Sequence, residues 1–142
     1  MIREINDNEI DKVMKIWQES TIKAHNFIEE SYWKDNHNKV KDVYIPMAET
    51  FVYDDGIDIR GFISVIDNNF IGALFVDTNF QNLGIGSKLI DFAVERYKLL
   101  SLAVYKENEG AVNFYISKNF KIIKEQTNED SGFLEYIMSN CN

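Results

Sequence analysis

The sequence predicts an α/β chain of the α+β kind: a mixed sheet of six to seven strands flanked by four helices, in the order βααβββαβαββ. Three observations carry that reading. Apolar residues recur at helical spacing before residue 50 and in short strand-like runs after it. A nearly unbroken apolar run, Phe70–Val76, stands mid-chain and fits a strand buried on both faces. Helices and strands then follow one another without the regularity of a repeated βα wheel.

The elements follow in order. Met1–Ile5 is short and suits an edge strand. Asn6 can cap a helix over about 7–21, with Glu9 as its capping-box partner. Ile10, Val13, Met14 and Trp17 give that helix one apolar face. A turn, Lys23–Asn26, leads to a second helix over about 27–41. Thr50–Tyr53, Ile57–Ile66 and Phe70–Val76 read as three antiparallel strands joined by Asp/Asn/Gly turns. An amphipathic helix runs to about Lys98, with Ile85, Leu89, Ala93 and Tyr97 inward. Leu99–Tyr105 is a strand, and a helix from Glu107 to about Lys118 ends at Asn119, a plausible left-handed cap. Phe120–Lys124 and Phe133–Met138 complete the sheet.

Composition narrows the class. The 142 residues are 45% apolar and 27% charged, the mix of one globular domain spanning 1–142. Fifteen basic against 23 acidic residues leave a net charge of −8. That balance argues against nucleic acid and against an anionic membrane surface as partners. One cysteine, Cys141, allows neither an internal disulfide nor a metal cluster, so no metal is expected. The polar start and the absence of long apolar runs predict a cytoplasmic protein.

Chemistry concentrates in Gln81-Asn82-Leu83-Gly84-Ile85-Gly86. Two glycines between a strand and a helix let backbone N–H groups converge, and the helix start adds orphan donors and a positive dipole end. Together they suit a phosphate. Read alone, G-x-G also serves a plain tight turn. It is neither the dinucleotide fingerprint, because Leu89 stands three after Gly86, nor a P-loop.

This hexapeptide fits [RQ]-x-x-G-x-[GA] at every fixed position. Downstream, Asn108, Ala111, Tyr115, Asn119 and Phe120 follow N-x-x-A-x-x-x-Y-x-x-x-G-F, with asparagine in place of the usual glycine. By these motifs the chain resembles the GCN5-related N-acetyltransferase (GNAT) superfamily over nearly its whole length. Trp17, Ser20, His25, Phe27, Ile28, Tyr32 and Trp33 are spaced as in a group of small bacterial members, some of which act on protein lysines.

The resemblance implies the GNAT fold, acetyl-CoA as co-substrate and direct transfer to a primary amine: a protein lysine, an N-terminus or a small molecule. By position, the main chain of Leu74, Phe75 and Val76 would pair with the pantetheine arm. Gln81, Asn82, Leu83, Gly84, Ile85, Gly86 and Ser87 would form the pyrophosphate loop, and Asn108 would meet the cofactor near its thioester. Tyr115 matches the family's general acid, its alternative being a tyrosine packed under the sheet. His25, Phe27 and Phe70 fall on the acceptor side. His25 serves equally as a turn histidine, and Phe70 as core.

Two departures stand out. No basic residue lies between Asn68 and Ser87, where many relatives carry arginine or lysine, so weak cofactor binding is expected. No carboxylate lies within Phe70–Val76 or Ser101–Tyr105 to serve as base, which leaves a water relay. Glu29, Glu30 and Asp35 read as a solvated face near the acceptor wall. A non-catalytic acyl-CoA sensor is the rival from another class, and the chain is expected to be a monomer or homodimer.

Overall fold

The computed structural model describes residues 1–141. Seven strands form one sheet in the order β1-β2-β3-β4-β5-β7-β6. They are β1 (Ile2–Glu4), β2 (Glu49–Asp54), β3 (Ile59–Ile66), β4 (Phe70–Val76), β5 (Ser101–Tyr105), β6 (Lys121–Thr127) and β7 (Leu134–Ser139). β4 and β5 pair in parallel and the other neighbours antiparallel. The helices are α1 (Ile10–Ala24), α2 (Glu30–Lys39), α3 (Ile45–Met47), α4 (Ile85–Tyr97) and α5 (Glu109–Ser117). A π-helical turn, Val40–Tyr44, joins α2 to the short α3, so four helical rods flank the sheet as expected.

The capping box forms: the Asn6 N–H donates to Glu9 Oε1 at 2.9 Å. It caps a 3-10 turn, Asp7–Glu9, ahead of α1. The second helix starts later than its apolar pattern suggests. Ile28 is tied back to the His25 carbonyl at 3.0 Å, and Glu29 is extended (ψ 140°) before Glu30 begins the helix. Pro46 explains the π turn. It has no N–H for a helical carbonyl, and Ile45 before it reaches back to the Val40 carbonyl instead.

Two cores lie on opposite faces of the sheet. Leu89, Ile90 and Ala93 of α4 and Val112 and Tyr115 of α5 bury against Ile63, Ile71, Leu102 and Met138. Val13, Met14, Ile16 and Trp17 of α1 and Trp33 of α2 bury against Val52, Ile59 and Phe62.

One expectation fails. β4 is not buried on both faces: only Ile71 is fully buried, and Ala73 to Val76 are half-buried. β4 and β5 pair at Phe70–Ser101 and Ile71–Leu102 alone. Beyond that point the strands part, and the apolar run lines the gap between them. Among the described residues no helix is long and apolar enough to cross a membrane.

Candidate active site

Two cavities open from this gap. One, of about 630 Å³, follows β4 and the 77–84 loop to the starts of α4 and α5. The other, of about 260 Å³, lies under α1 and α2. Leu74, Phe75, Asn108, Ala111 and Tyr115 line both, so the cavities meet there.

The loop is held by its own bonds. Asp77 donates its N–H to the Arg60 carbonyl at 2.8 Å, and its carbonyl accepts the Phe80 N–H at 2.8 Å. Its Oδ1 accepts the Asn79 N–H at 3.0 Å. Asn82 and Gly84 take left-handed φ values of 64° and 82°, which turn the chain into α4. The first helical bond is from the Lys88 N–H to the Gly84 carbonyl at 3.0 Å. The N–H groups of Ile85, Gly86 and Ser87 are thus helix-start donors without intrahelical partners, and all three residues line the larger cavity. Donors converging in this way suit an anion.

No Lys or Arg lines that cavity among the described residues. Lys88 Nζ stands 5.7 Å from the centre of the Tyr53 ring. Arg60 stacks 3.9 Å from the centre of the Phe80 ring but is ion-paired to Asp55 at 2.7 Å. Of the expected loop residues, Gln81, Asn82, Gly84, Ile85, Gly86 and Ser87 line the cavity, whereas Leu83 stands outside it, 65% exposed. Leu74, Phe75 and Val76 line it from β4. The Val76 carbonyl already accepts Ser20 Oγ at 2.9 Å and Gln81 Nε2 at 3.3 Å.

Tyr115 sits at the junction. Its ring is buried beside Phe114 and Phe120, and its hydroxyl has no hydrogen-bond partner among the described residues. Burial raises its pKa above the ordinary tyrosine value, so the hydroxyl stays protonated. The α5 terminus that carries it ends as expected, with Asn119 left-handed at φ 69° and the Phe120 N–H returning to the Tyr115 carbonyl at 3.0 Å.

His25 lines the smaller cavity as the C-cap of α1. Its ring stacks on Trp33 with centroids 5.0 Å apart. Desolvation lowers its pKa to about 4, so at neutral pH the imidazole is uncharged. Phe27 and Phe70 line neither cavity. Phe27 backs the wall, packed edge-on against His25 at 5.8 Å and Phe133 at 5.5 Å. Phe70 lies where β4 is still paired with β5. Glu29, Glu30 and Asp35 are exposed.

One ionisable residue in this wall has no counterpart in the sequence reading. Glu135 of β7 is 8% exposed and lines the smaller cavity. Its register partner on β5 is Tyr105. The signal was a lone carboxylate within an otherwise apolar strand, Leu134-Glu135-Tyr136-Ile137-Met138.

Comparison with known proteins agrees with this geometry. The family model described as "Acetyltransferase (GNAT) domain" matches residues 13–139. The peptidyl-lysine N-acetyltransferase YiaC of Escherichia coli strain K12 is 33% identical over 139 residues, covering 98% of this chain and 95% of YiaC. The solution structure of apo YjaB from Escherichia coli superposes with a TM-score of 0.86 at 23% identity, covering 100% of this chain and 97% of that one. The PaiA N-acetyltransferase of Thermoplasma acidophilum, solved with coenzyme A, gives a TM-score of 0.82 at 17% identity, covering 100% and 98%.

Proposed function

The chain belongs to the GNAT acetyltransferase family and is an acetyl-CoA-dependent N-acetyltransferase, and from that premise we propose that it acetylates lysine side chains of proteins by direct transfer, with residues 1–142 acting as one catalytic domain. The carrying observation is the shared wall of the two cavities, where an amine entering from one side would meet a thioester entering from the other. The choice of lysine rests on the likeness to YiaC, a peptidyl-lysine N-acetyltransferase.

Acyl transfer sets three requirements. The amine must lose its proton, since a lysine-type amine has a reference pKa of about 10.4. The oxyanion needs a donor, and backbone N–H groups along the open edge of β4 face the gap. The leaving thiolate gains from a proton. In our reading Tyr115 donates that proton and regains one, through water, from the nitrogen that takes the acetyl group: its hydroxyl is protonated, without a partner among the described residues, and at the junction. The helix-start N–H groups of Ile85, Gly86 and Ser87 hold the pyrophosphate, and Leu74 to Val76 guide the pantetheine arm. Asn108 lies beside the thioester end, with His25 on the acceptor side.

A cytoplasmic location belongs to this reading, because the co-substrate is soluble and a single cysteine suits a reducing compartment. So does a monomer or a homodimer paired through an open sheet edge, β1 or β6.

The test is acetyl transfer to lysine-bearing peptides, followed by thiol release and by mapping the added mass. Acetyl groups on lysine Nζ are the expected result. Modification confined to α-amino groups or to small polyamines would overturn the lysine assignment.

A further inference from the structure

The smaller cavity holds a buried carboxylate with no cationic partner. Glu135 Oε2 accepts Gln126 Nε2 at 2.6 Å, and Oε1 accepts Asn128 Nδ2 at 3.0 Å. Both donors are neutral amides. Asn128 is itself aimed by its turn: its Oδ1 takes the N–H groups of Asp130 and Ser131, each at 3.0 Å, which leaves Nδ2 for Glu135. Among the described residues no Lys, Arg or His forms an ion pair with Glu135. His25, the basic group in the cavity lining, is held neutral by burial. An arriving cation would supply the partner that this carboxyl group lacks.

The rest of the cavity suits such a cation. Trp17, Trp33 and Tyr105 line it. The Trp33 ring centroid lies 6.1 Å from that of Trp17 and 6.2 Å from that of Tyr105, both edge-on. One face of Trp33 is taken by the stacked His25 ring, and an aromatic wall of this kind packs against the methylenes of an alkylammonium and attracts its charge. The Trp33 Nε1–H is buried without a partner. Orphan buried donors are rare, and this one suits an occupant that also brings an oxygen, as a peptide does.

We propose that Glu135 is the specificity-determining anion of the acceptor site, selecting amines that arrive as ammonium ions on an alkyl chain. This deepens the lysine reading and rests on it. Glu135 acts on capture: it offsets the charge of the entering ammonium against the aromatic wall, and it takes no part in holding acetyl-CoA, because it lines only the acceptor cavity.

The experiment compares wild type with Glu135→Gln at saturating acetyl-CoA, using a lysine peptide and a weakly basic aromatic amine that is neutral at assay pH. The expected result is a KM for the lysine peptide raised at least about 30-fold, as for loss of one partner of a buried charge pair. The KM for the neutral amine and the Kd for acetyl-CoA stay within twofold. A lysine-peptide KM within twofold of wild type overturns the proposal, even though turnover on lysine then upholds the activity reading. Absence of lysine turnover in wild type, with acetyl-CoA still bound, would instead defeat that reading. If the glutamine variant fails to fold, wild type alone decides. Butylammonium should compete with the peptide at least tenfold better than 1-butanol, and equal inhibition overturns the proposal.

Discussion

His25 Nε2 lies 3.3 Å from Asn108 Nδ2, and this contact ties the wall of the smaller cavity to the start of α5. Asn108 Oδ1 caps the helix by accepting the Ala111 N–H at 3.3 Å, so its amide nitrogen must face the imidazole. An amide NH₂ only donates. His25 Nε2 therefore accepts, and its proton sits on Nδ1, 3.1 Å from Thr21 Oγ1. The family resemblance assigns Asn108 to the cofactor side and His25 to the acceptor side or to a plain turn, and the fold links the two directly.

That link makes a pH prediction. Burial lowers the His25 pKa from 6.5 to about 4. The unfolded chain therefore binds the proton first as pH falls. Stability from this group is fully present above 6.5 and is lost as pH drops toward 4. At about 1.4 kcal/mol per unit, the whole effect is roughly 3 kcal/mol. Denaturant midpoints for wild type and His25→Asn, measured from pH 7 to pH 4.5, should diverge in slope, with wild type falling more steeply. Parallel curves would show that His25 is not buried in its neutral form.

Tyr115→Phe removes one oxygen that has no hydrogen-bond partner among the described residues, so folding should not notice it. We expect Tm within 2 °C of wild type, on the scale of minor surface changes. We expect kcat to fall about 10²-fold, the range of general acid catalysis, with acetyl-CoA affinity unchanged. Turnover within threefold of wild type would leave the tyrosine a packing residue.

The two loop glycines should separate by mechanism. Gly84 has φ 82°, a conformation that a β-branched side chain resists. Gly84→Val should weaken acetyl-CoA binding at least tenfold and cost about 1–3 kcal/mol of stability. At Gly86 a Cβ would meet only Val76 Cγ2 at 3.7 Å and Phe114 Cζ at 3.8 Å, ordinary contacts. The protein has room for alanine there, but the residue lines the cavity. Gly86→Ala should keep its Tm and lose acetyl-CoA affinity. Calorimetry with acetyl-CoA on both variants checks this, and unaltered affinities would refute the proposed pyrophosphate site.

Much of this was legible in the chain, for reasons that particular residues make clear. The turn from Gln81 to Gly86 is local, so its glycines mark it in the sequence, though only the family resemblance points to a phosphate there, and the cap at Asn119 is a property of one residue's backbone. The run Phe70–Val76 misled because apolar residues facing an open gap look like apolar residues facing a core. Only the parting of β4 from β5 distinguishes the two. Glu135 leaves only a weak signal, a lone carboxylate in an apolar strand. Its place in the cavity follows from pairing with Tyr105, a strand contact across 30 positions that no periodicity reports.

The missing loop cation offers a gain-of-function test. If the loop holds the pyrophosphate as proposed, binding rests on backbone donors and helix dipole, worth about 0.3–1 kcal/mol at an exposed site. Ser87 lines the cavity within the first turn of α4. An arginine at this position can reach the phosphates without the left-handed backbone that Asn82 requires (φ 64°). A new contact at about 4 Å in water-like surroundings is worth about 1 kcal/mol, roughly fivefold in Kd. Ser87→Arg should therefore tighten acetyl-CoA about fivefold at low ionic strength. The gain should fade as salt shortens the screening length from about 10 Å at 0.1 M to about 3 Å at 1 M. Wild type, with no Lys or Arg lining the cavity among the described residues, should show the shallower salt dependence. Titrating acetyl-CoA into both proteins across that range decides the matter: a steep salt slope in wild type would mean that a basic side chain reaches the phosphates after all.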